Sequence, residues 1–290
     1  MTIREALADG SFVLRSANIE SAVLDASLLL AEVLGISRAS LISRGTGLLP
    51  QEPLVIFHRL IERRRTGECI AYILGRKEFR GLEFKVNPAV LVPRPDTETL
   101  VEAAIEKAKS AAASKGGPIC VLDLCTGSGA IAIALKHEIP ELEVWASDIS
   151  AQALEIAVLN AAQLLPGSSI RFCAGSLFEA LSSPLPFSLI AANPPYIPSA
   201  EIKTLAPEVQ NEPLLALDGG DDGLAIIRNI IAEAPAFLCP SGALLLEADP
   251  GEMQNIICLL EKKGYLDIQT YKDLSGRERV IGAVKPGTLA

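Results

Sequence analysis

The chain has no apolar run near the length of about 20 residues that a membrane-spanning helix requires. Its first residues, 1–9, contain two acidic side chains and lack both the apolar centre of a secretory signal and the basic character of a transit peptide. These absences lead us to expect a soluble, cytoplasmic protein.

Closely spaced metal ligands are also absent. The six cysteines include no Cys-x-x-Cys pair, and there are only two histidines. A structural zinc site usually takes its four ligands from such pairs. We therefore predict free thiols in a reducing compartment and no metal cofactor.

The sequence lacks the excess of positive charge that a protein wrapping nucleic acid requires. It has 26 basic and 35 acidic residues, for a net charge of −9. Residues 1–77 hold ten basic and eight acidic residues, so the acidic excess lies in the remainder. This balance predicts no stable nucleic-acid complex. Because no apolar run is long enough to span a bilayer, we also expect no membrane partner, and we expect a monomer.

Residues 1–75 have the pattern of a small helical domain. Apolar residues recur at helical spacing from Ile19 to Leu34, before a stop signal at Gly35, and a second helix is predicted over 52–65. Arg63-Arg64-Arg65 ends that helix. This run indicates either a solvated last turn, favoured by the helix dipole, or contact with an acidic or RNA-bearing partner.

Residues 76–95 are predicted to form a hairpin and hinge linker. The stretch 77–92 alternates between apolar and polar residues and carries Gly81. Pro93-Arg94-Pro95 then ends the strand, and Asp96-Thr97-Glu98 opens a helix.

Residues 96–290 read as an α/β domain. Apolar strands alternate with helices, and a short loop inside 267–284 predicts an antiparallel pair at the sheet edge. The expected fold is a doubly wound, mostly parallel seven-stranded sheet of Rossmann-like type. The strands are predicted near 118–123, 143–147, 169–173, 187–192 and 242–247, and the helices near 129–137, 150–162, 222–237 and 251–263.

The run Val121-Leu-Asp-Leu-Cys-Thr-Gly-Ser-Gly-Ala-Ile131 predicts a strand, a tight turn and a helix start. Gly127 and Gly129 let the backbone approach a ligand, and the helix aims free N–H groups at the same place. The next strand ends at Asp148, whose carboxylate can accept both hydroxyls of a ribose. This is where a doubly wound sheet binds a nucleotide-like ligand.

Two cofactors compete for this turn, because Gly127-x-Gly129-x-x-Ala132 also fits the dinucleotide fingerprint. Three observations favour S-adenosylmethionine. Asp123 stands at the strand end, where we expect its carboxylate to face a cationic amino group rather than a pyrophosphate. No histidine follows a later strand as a base for hydride transfer, and the tetrapeptide described next follows the fourth strand.

Asn193-Pro194-Pro195-Tyr196 follows the apolar strand 187–192. The prolines remove backbone donors and hold extended geometry. The Asn193 side-chain oxygen and a neighbouring main-chain carbonyl can then accept both N–H groups of one planar NH2, and Tyr196 offers an aromatic face to it. The tetrapeptide indicates chemistry on an amide or amino nitrogen.

Together these motifs resemble a class I S-adenosylmethionine-dependent methyltransferase that methylates nitrogen. Further segments resemble the release factor glutamine N(5)-methyltransferase family of the HemK/PrmC type, and the resemblance spans nearly the whole chain. Those segments are Glu68-Cys-Ile-Ala-Tyr-Ile-Leu-Gly75, Glu78-Phe-Arg-Gly81, Val90-Leu-Val-Pro-Arg-Pro-Asp-Thr-Glu98 and Glu212-Pro-Leu-Leu-Ala-Leu217.

The resemblance implies methylation of the glutamine amide in the Gly-Gly-Gln motif of peptide chain release factors, with S-adenosylhomocysteine as product. It implies that Asn193, Pro194, Pro195 and Tyr196 hold the amide, with Asn193, Pro194 and Tyr196 as the catalytic groups, and that residues 1–75 recognise the substrate. Cys125 stands where the family commonly has glycine, and Ser176 where it often has an acid. The implied cofactor residues are Asp123, Cys125, Thr126, Gly127, Ser128, Gly129, Asp148, Leu177 and Asn193.

Other functions stay open at this point. An adenine-N6 methyltransferase of DNA or RNA faces the same chemistry, but such enzymes usually carry a basic recognition region. A glutamine methyltransferase of a ribosomal protein shares the tetrapeptide. A non-catalytic docking module and a nicotinamide dehydrogenase rank below these.

Overall fold

The computed structural model describes residues 1–115, 118–181 and 186–285. These residues form two compact units, one of residues 1–75 with 206–211, the other of the described residues of 76–205 together with those from 212 onward. The helices are α1 (Ile3–Ser16), α2 (Ala22–Leu34), α3 (Arg38–Ser43), α4 (Gln51–Arg65), α5 (Ile70–Leu74), α6 (Thr97–Lys115), α7 (Ala130–Glu138), α8 (Ala151–Leu164), α9 (Pro207–Gln210), α10 (Ala225–Phe237) and α11 (Met253–Lys263). The strands are β1 (Arg76–Phe79), β2 (Leu82–Lys85), β3 (Cys120–Leu124), β4 (Glu143–Asp148), β5 (Ile170–Ala174), β6 (Phe187–Ala192), β7 (Leu238–Glu247), β8 (Leu266–Lys272) and β9 (Glu278–Val284).

The first unit is helical, as the apolar periodicity predicts. Its buried core includes Leu14 of α1, Leu29 and Leu30 of α2, and Phe57 of α4. Helix α2 ends at Gly35, which takes the left-handed conformation at φ +61° that glycine adopts without a Cβ penalty. The stop signal is therefore confirmed, and the helix predicted over 52–65 agrees with α4 to within one residue, whereas α2 begins three residues after Ile19.

The basic run at the end of α4 is not uniformly solvated. Arg64 is 3% exposed, its Nε donates to Asp25 Oδ2 at 2.7 Å, and its Nη2 pairs with Glu208. Asn211 Nδ2 donates to the Gly67 carbonyl at 2.9 Å. The solvated-turn interpretation is wrong for Arg64, whose two acidic partners come from distant parts of the chain and so were invisible in the local pattern.

The second unit begins with the predicted hairpin, which is shorter than the alternation suggested. Strands β1 and β2 pair antiparallel, with Phe79 opposite Leu82. The turn residues Arg80 and Gly81 both have positive φ, 51° and 76°, as a tight hairpin turn requires.

The seven-stranded sheet has the order β5-β4-β3-β6-β7-β9-β8. The first five strands in this order pair parallel, and β9 is antiparallel to both β7 and β8. The predicted mostly parallel sheet with an antiparallel pair at one edge is confirmed.

Side chains alternate between the two faces of this sheet, and both faces are buried. Val121 packs with Leu100 of α6 and Ile133 of α7 in one core cluster, whereas Leu122 packs with Ile227 of α10 in the other. Helices therefore cover both faces. Among the described helices, none is both long and apolar enough to cross a membrane.

The parallel strands bring their carboxyl ends to one edge of the sheet. Leu124 pairs with Ser147 of β4 and with Ala192 of β6, and Ala192 pairs with Leu246 of β7. The residues that follow these strands thus meet at one place, which is where ligands bind in doubly wound sheets.

Candidate active site

The turn between β3 and α7 is formed by residues with left-handed backbone conformations. Cys125, Gly127 and Gly129 have φ values of 58°, 55° and 83°. A Cβ on Gly127 would meet nothing within 4 Å, whereas one on Gly129 would lie 3.0 Å from Ile133 Cδ1 and 3.2 Å from Ala157 Cβ. Gly129 therefore allows close helix packing, and Gly127 leaves open space in front of the turn.

Asp123 stabilises this turn from its buried side and does not face the cavity. Its side chain is fully buried, and Oδ2 accepts hydrogen bonds from Thr126 Oγ1 at 2.6 Å and from Ala132 N at 3.1 Å. Burial raises the pKa of Asp123 to about 7, although both hydrogen bonds lower it. In the structure the carboxylate faces the buried donors of the turn and does not line the cavity, and its contact with a cationic amino group stays a prediction.

Asp148 ends β4 opposite the same turn. Its Oδ2 accepts from Gly127 N at 2.9 Å and its Oδ1 from Ser150 N at 2.9 Å. Burial raises the pKa of Asp148, and hydrogen bonds from the backbone N–H groups of Ser150, Gly127 and Ile149 oppose that shift. Asp148 is partly exposed, so its carboxylate both fixes the turn and faces the ligand space.

A cavity of about 180 Å³ lies in front of the turn. Its walls come from parts of the second unit that are distant in the sequence: the segment 89–97, the glycine turn, the β4–α8 turn, Ser176 with Leu177, the tetrapeptide and the segment 213–216. Ile149, which is 56% exposed, contributes a large apolar surface directly beside Asp148.

Leu177 lies on another wall in a strained backbone conformation. Its φ is +45°, which is unusual for a branched side chain. The preceding Gly175 is required, since a Cβ there would lie 2.9 Å from Ala180 Cα. Backbone strain of this kind concentrates at functional sites, and Ser176 and Leu177 both line the cavity.

Asn193 lies on the wall that follows β6. Its Nδ2 donates to Thr97 Oγ1 at 3.2 Å. In the described part of the chain, no group donates to Asn193 Oδ1 or to the main-chain carbonyl of Pro194. Asn193 thus presents a free amide oxygen while its nitrogen is engaged.

Tyr196 turns toward a buried carboxylate. Its hydroxyl donates to Glu247 Oε1 at 3.3 Å, and burial raises the pKa of Tyr196. Its ring is not part of the cavity wall. The tyrosine therefore anchors the tetrapeptide to the end of β7.

Glu212 joins two cavity-lining segments. It is 5% exposed, its Oε2 accepts from Val92 N at 3.1 Å, and its Oε1 pairs with the Arg94 guanidinium. The motifs near 90–98 and 212–217, which are far apart in the sequence, are thus brought together at the cavity.

The structure brings most of the predicted site residues to this cavity. Sequence reasoning missed Thr97, Ile149 and Glu247 as site residues, although Glu247 is an acid at the end of an apolar strand, the same signal that marked Asp148. The predicted residues on the wall are Cys125, Thr126, Gly127, Ser128, Asp148, Leu177, Asn193 and Pro195, and those off it are Asp123, Gly129, Pro194 and Tyr196.

The cavity fits a nucleoside carrying a polar tail. It offers a partly exposed carboxylate at Asp148 for hydroxyl groups, apolar surface at Ile149 and Leu177, and open space at Gly127. Within the ranges described, no group of three or more His, Cys, Asp or Glu side chains has the arrangement of a metal site.

Comparison with known families matches both units of the chain. A family model described as the PrmC N-terminal domain matches residues 5–75, and one described as the methyltransferase small domain matches residues 113–211. Among solved structures, a methyltransferase from Pyrococcus furiosus has a TM-score of 0.53 at 19% identity, covering 78% of this chain and 97% of that one. The 16S rRNA N2 G1207 methyltransferase of T. thermophilus, in complex with AdoMet and guanosine, has a TM-score of 0.50 at 23% identity, covering 72% and 49%. These two structures support the fold.

Sequence relatives are considerably closer. The release factor glutamine methyltransferase of Bradyrhizobium diazoefficiens is 44% identical over 274 residues, which are 94% of this chain and 91% of that protein. The protein of the same name from Burkholderia pseudomallei is 39% identical over 290 residues, 99% of each chain. The protein therefore belongs to the release factor glutamine methyltransferase family, whose members are S-adenosylmethionine-dependent protein methyltransferases.

Proposed function

We propose that this protein transfers a methyl group from S-adenosylmethionine to the side-chain amide nitrogen of the glutamine in the Gly-Gly-Gln motif of a peptide chain release factor. Such a modification supports translation termination, which takes place in the cytoplasm. The observation that carries the proposal is the free Oδ1 of Asn193 on the wall of the cavity that Gly127 and Asp148 also line.

The cofactor residues follow from the walls of the cavity. Asp148 would accept the ribose hydroxyls, and Ile149 and Leu177 would enclose the adenine. Residues 125–128 would lie along the methionine part, where Gly127 leaves room for it. When bound, S-adenosylmethionine supplies an electrophilic methyl group on a positively charged sulfur.

Two oxygens would hold the glutamine amide. Asn193 Oδ1 and the main-chain carbonyl of Pro194 have no donor in the described residues, and Pro195 contributes no N–H that could compete for them. A planar NH2 group has two N–H donors. One donor on each oxygen fixes the direction in which the nitrogen lone pair points.

The chemical difficulty is that an amide nitrogen is a poor nucleophile, because its lone pair is delocalised into the carbonyl. Holding the nitrogen at the correct distance and angle contributes a large part of the rate enhancement in such cases. Positive charge develops on nitrogen as the new bond forms, and Asn193 and Pro194 oxygens aimed at that nitrogen stabilise it. The methylated amide is then acidic enough to lose its proton to water.

The experiment is a transfer assay with isotope-labelled S-adenosylmethionine followed by mass spectrometry of the acceptor. The acceptors are a release factor, the same factor with its Gly-Gly-Gln glutamine replaced by alanine, a ribosomal protein methylated on glutamine in other organisms, and duplex DNA. We expect a single methyl group on the glutamine of the unaltered release factor alone.

Label on DNA, or on the release factor without its glutamine, would refute the proposal. Label on the ribosomal protein alone would support methylation of a glutamine amide but would show that the substrate is not a release factor.

A further inference from the structure

A connected set of buried polar groups lies behind the tetrapeptide. Asn193 Nδ2 donates to Thr97 Oγ1 at 3.2 Å, and Tyr196 Oη donates to Glu247 Oε1 at 3.3 Å. Burial raises the pKa of the Glu247 carboxyl, and the neighbouring Thr97 hydroxyl acts to lower it. Thr97 and Glu247 are 4% and 1% exposed, so water does not compete for these contacts.

The direction of hydrogen bonding through Thr97 follows from its single proton. A hydroxyl has one O–H donor and two acceptor lone pairs. Above its pKa, the nearby Glu247 carboxyl offers only acceptors, so it attracts the Thr97 proton. The remaining lone pairs of Thr97 then favour an N–H group, which only the Nδ2 end of the Asn193 amide supplies.

The surroundings of Glu247 act on its acceptor role in two opposite directions. Arg279 lies near enough to lower the pKa of Glu247, and its Nη2 lies 3.2 Å from Asp96 Oδ2. Burial nevertheless raises the pKa of Glu247 to about 7. Its Oε2 is buried with no partner of ordinary hydrogen-bond geometry in the described residues, so this carboxyl has spare acceptor capacity.

We propose that Thr97 and Glu247 are positioning residues that fix the orientation of the Asn193 amide, so that Oδ1 rather than Nδ2 faces the substrate nitrogen. Neither residue acts on the substrate itself. This inference rests on the proposed function for its effect on turnover, because a flipped Asn193 would present N–H donors to an NH2 group that has only donors to offer.

A purely structural role for this network predicts a different result. Loss of a buried hydrogen bond would then lower stability in every variant that lacks the Thr97 hydroxyl and would leave turnover of the folded enzyme unchanged. The positioning role instead predicts a loss of kcat, with the affinity for S-adenosylmethionine preserved.

The variants are Thr97→Val, which keeps the shape and removes the hydroxyl, and Thr97→Ser, which restores it. Thr99→Val is the matched control, since Thr99 lies on the same first turn of α6 and its side chain makes no hydrogen bond in the described structure. We expect Thr97→Val to lower kcat about tenfold, the effect of one lost hydrogen bond. Thr97→Ser should regain most of it, and Thr99→Val should match the wild type.

Glu247→Gln keeps an oxygen for Tyr196 but introduces an N–H group that can donate to Thr97 and reverse the direction of the bonds. We expect it to lower kcat as well. In the double variant with Thr97→Val it should add no further loss, because both changes act through the same amide. Additive losses, or Thr97→Val with wild-type kcat, would overturn the inference.

A second measurement reads the amide directly and requires no methyl acceptor. In 15N NMR spectra, one side-chain amide proton of Asn193 should exchange slowly with solvent in the wild type and in Thr97→Ser, and rapidly in Thr97→Val. Equal exchange in all three would refute the inference even if the enzyme is active. Slow exchange in an enzyme that does not methylate release factors would support the inference while the proposed substrate fails.

Discussion

At the residue scale, acidic side chains at the carboxyl ends of two neighbouring strands have different roles in the site. Asp148 faces the cavity, whereas Asp123, one strand away, is fully buried beneath the glycine turn. Both are acids at the carboxyl end of an apolar strand. What separates them is the set of N–H and hydroxyl donors that each must satisfy, and this differs because Asp123 has Thr126 and Ala132 beside it.

The first prediction concerns Asp148→Asn. The change removes the negative charge and places an NH2 group against the backbone N–H of either Gly127 or Ser150. Hydrogen bonds to a charged acceptor contribute about 1.5–3 kcal/mol, so we expect calorimetry to show S-adenosylmethionine binding weakened by about ten- to a hundredfold. Asp221→Asn, at an exposed acid, should leave the affinity unchanged. Equal affinity in Asp148→Asn would show that the carboxylate does not touch the cofactor.

Residue-scale prediction from the sequence succeeded where a strand end determines the position. Gly127, Asp148 and Asn193 converge on one cavity because parallel strands end at a common edge. Thr97 could not be assigned in this way, since its contact with Asn193 depends on how α6 packs against the sheet. Long-range packing of a helix is not encoded in the residues around Thr97.

At the element scale, strand and helix bounds followed the apolar pattern closely. Strand β6 has the predicted bounds, Phe187–Ala192. Strand β7 begins at Leu238, four residues before the predicted 242, and contains Ser241 at φ +59° and a register shift against β6. This irregular stretch contains Pro and Gly, which are typical of a turn. The local pattern therefore could not predict that the stretch belongs to the strand.

At the element scale, the backbone conformation of the turn between β3 and α7 is expected to affect the free energy of unfolding. Cys125 has φ +58°, and a residue with a Cβ pays about 1–2 kcal/mol in that conformation. Cys125→Gly removes this cost, but it also raises the entropy of the unfolded chain, which lowers stability by about 0.4–1 kcal/mol. We expect a net increase in the free energy of unfolding of up to about 1 kcal/mol, measured by urea denaturation.

Cys125→Ala is the control for this change, because it removes the thiol and keeps the Cβ. We expect it to give no increase. An increase of the same size in Cys125→Ala would assign the effect to the thiol rather than to the backbone.

Two neighbouring arginines at the end of helix α4 are expected to contribute very differently to stability. Arg64 is buried against Asp25, whereas Arg65 is exposed and pairs with Glu62 three residues earlier. Arg64→Met leaves a buried aspartate unpaired and should cost about 3–5 kcal/mol of unfolding free energy. Arg65→Met should cost less than about 1 kcal/mol.

Thermal and urea unfolding measure both variants. If Arg64→Met does not fold, the double variant with Asp25→Leu should recover folding, since the unpaired charge is then gone. Similar losses for the two arginine variants would contradict the assigned burial.

At the scale of the whole molecule, the chain is not divided at a single point. Residues 206–211, predicted as part of the segment 96–290, belong to the same unit as residues 1–75. The cause is a set of contacts to Gly67 and Arg64 made by Asn211 and Glu208. Composition shifts along the sequence reveal boundaries between contiguous segments, and they do not reveal a short segment that returns to an earlier unit.

Stability of the whole molecule should depend on pH through Asp123. Burial raises its folded pKa from the ordinary 3.8 to about 7, so between these values the folded state binds more protons than the unfolded state. Unfolding free energy should therefore fall as the pH rises from 4 to 7. At about 1.4 kcal/mol per pKa unit, this group accounts for up to about 4 kcal/mol.

Asp123→Asn cannot ionise and should reduce the slope of this profile, leaving the part that Glu247 contributes, while Asp221→Asn should keep the slope of the wild type. The free energy of unfolding of the three proteins is measured in urea at about pH 4.5 and about pH 7.5. An unchanged slope in Asp123→Asn would contradict the raised pKa.

The central claim is that the Asn193 amide oxygen holds a weakly nucleophilic nitrogen beside the methyl donor. The most direct measurement is the turnover of Asn193→Ala on a release factor, together with its affinity for S-adenosylmethionine and with exposed Asn255→Ala as control. We predict a kcat lower by about 10²–10³, as when one preorganised hydrogen-bonding group is removed, with cofactor affinity within about twofold of the wild type. Turnover of Asn193→Ala equal to that of Asn255→Ala would contradict the account.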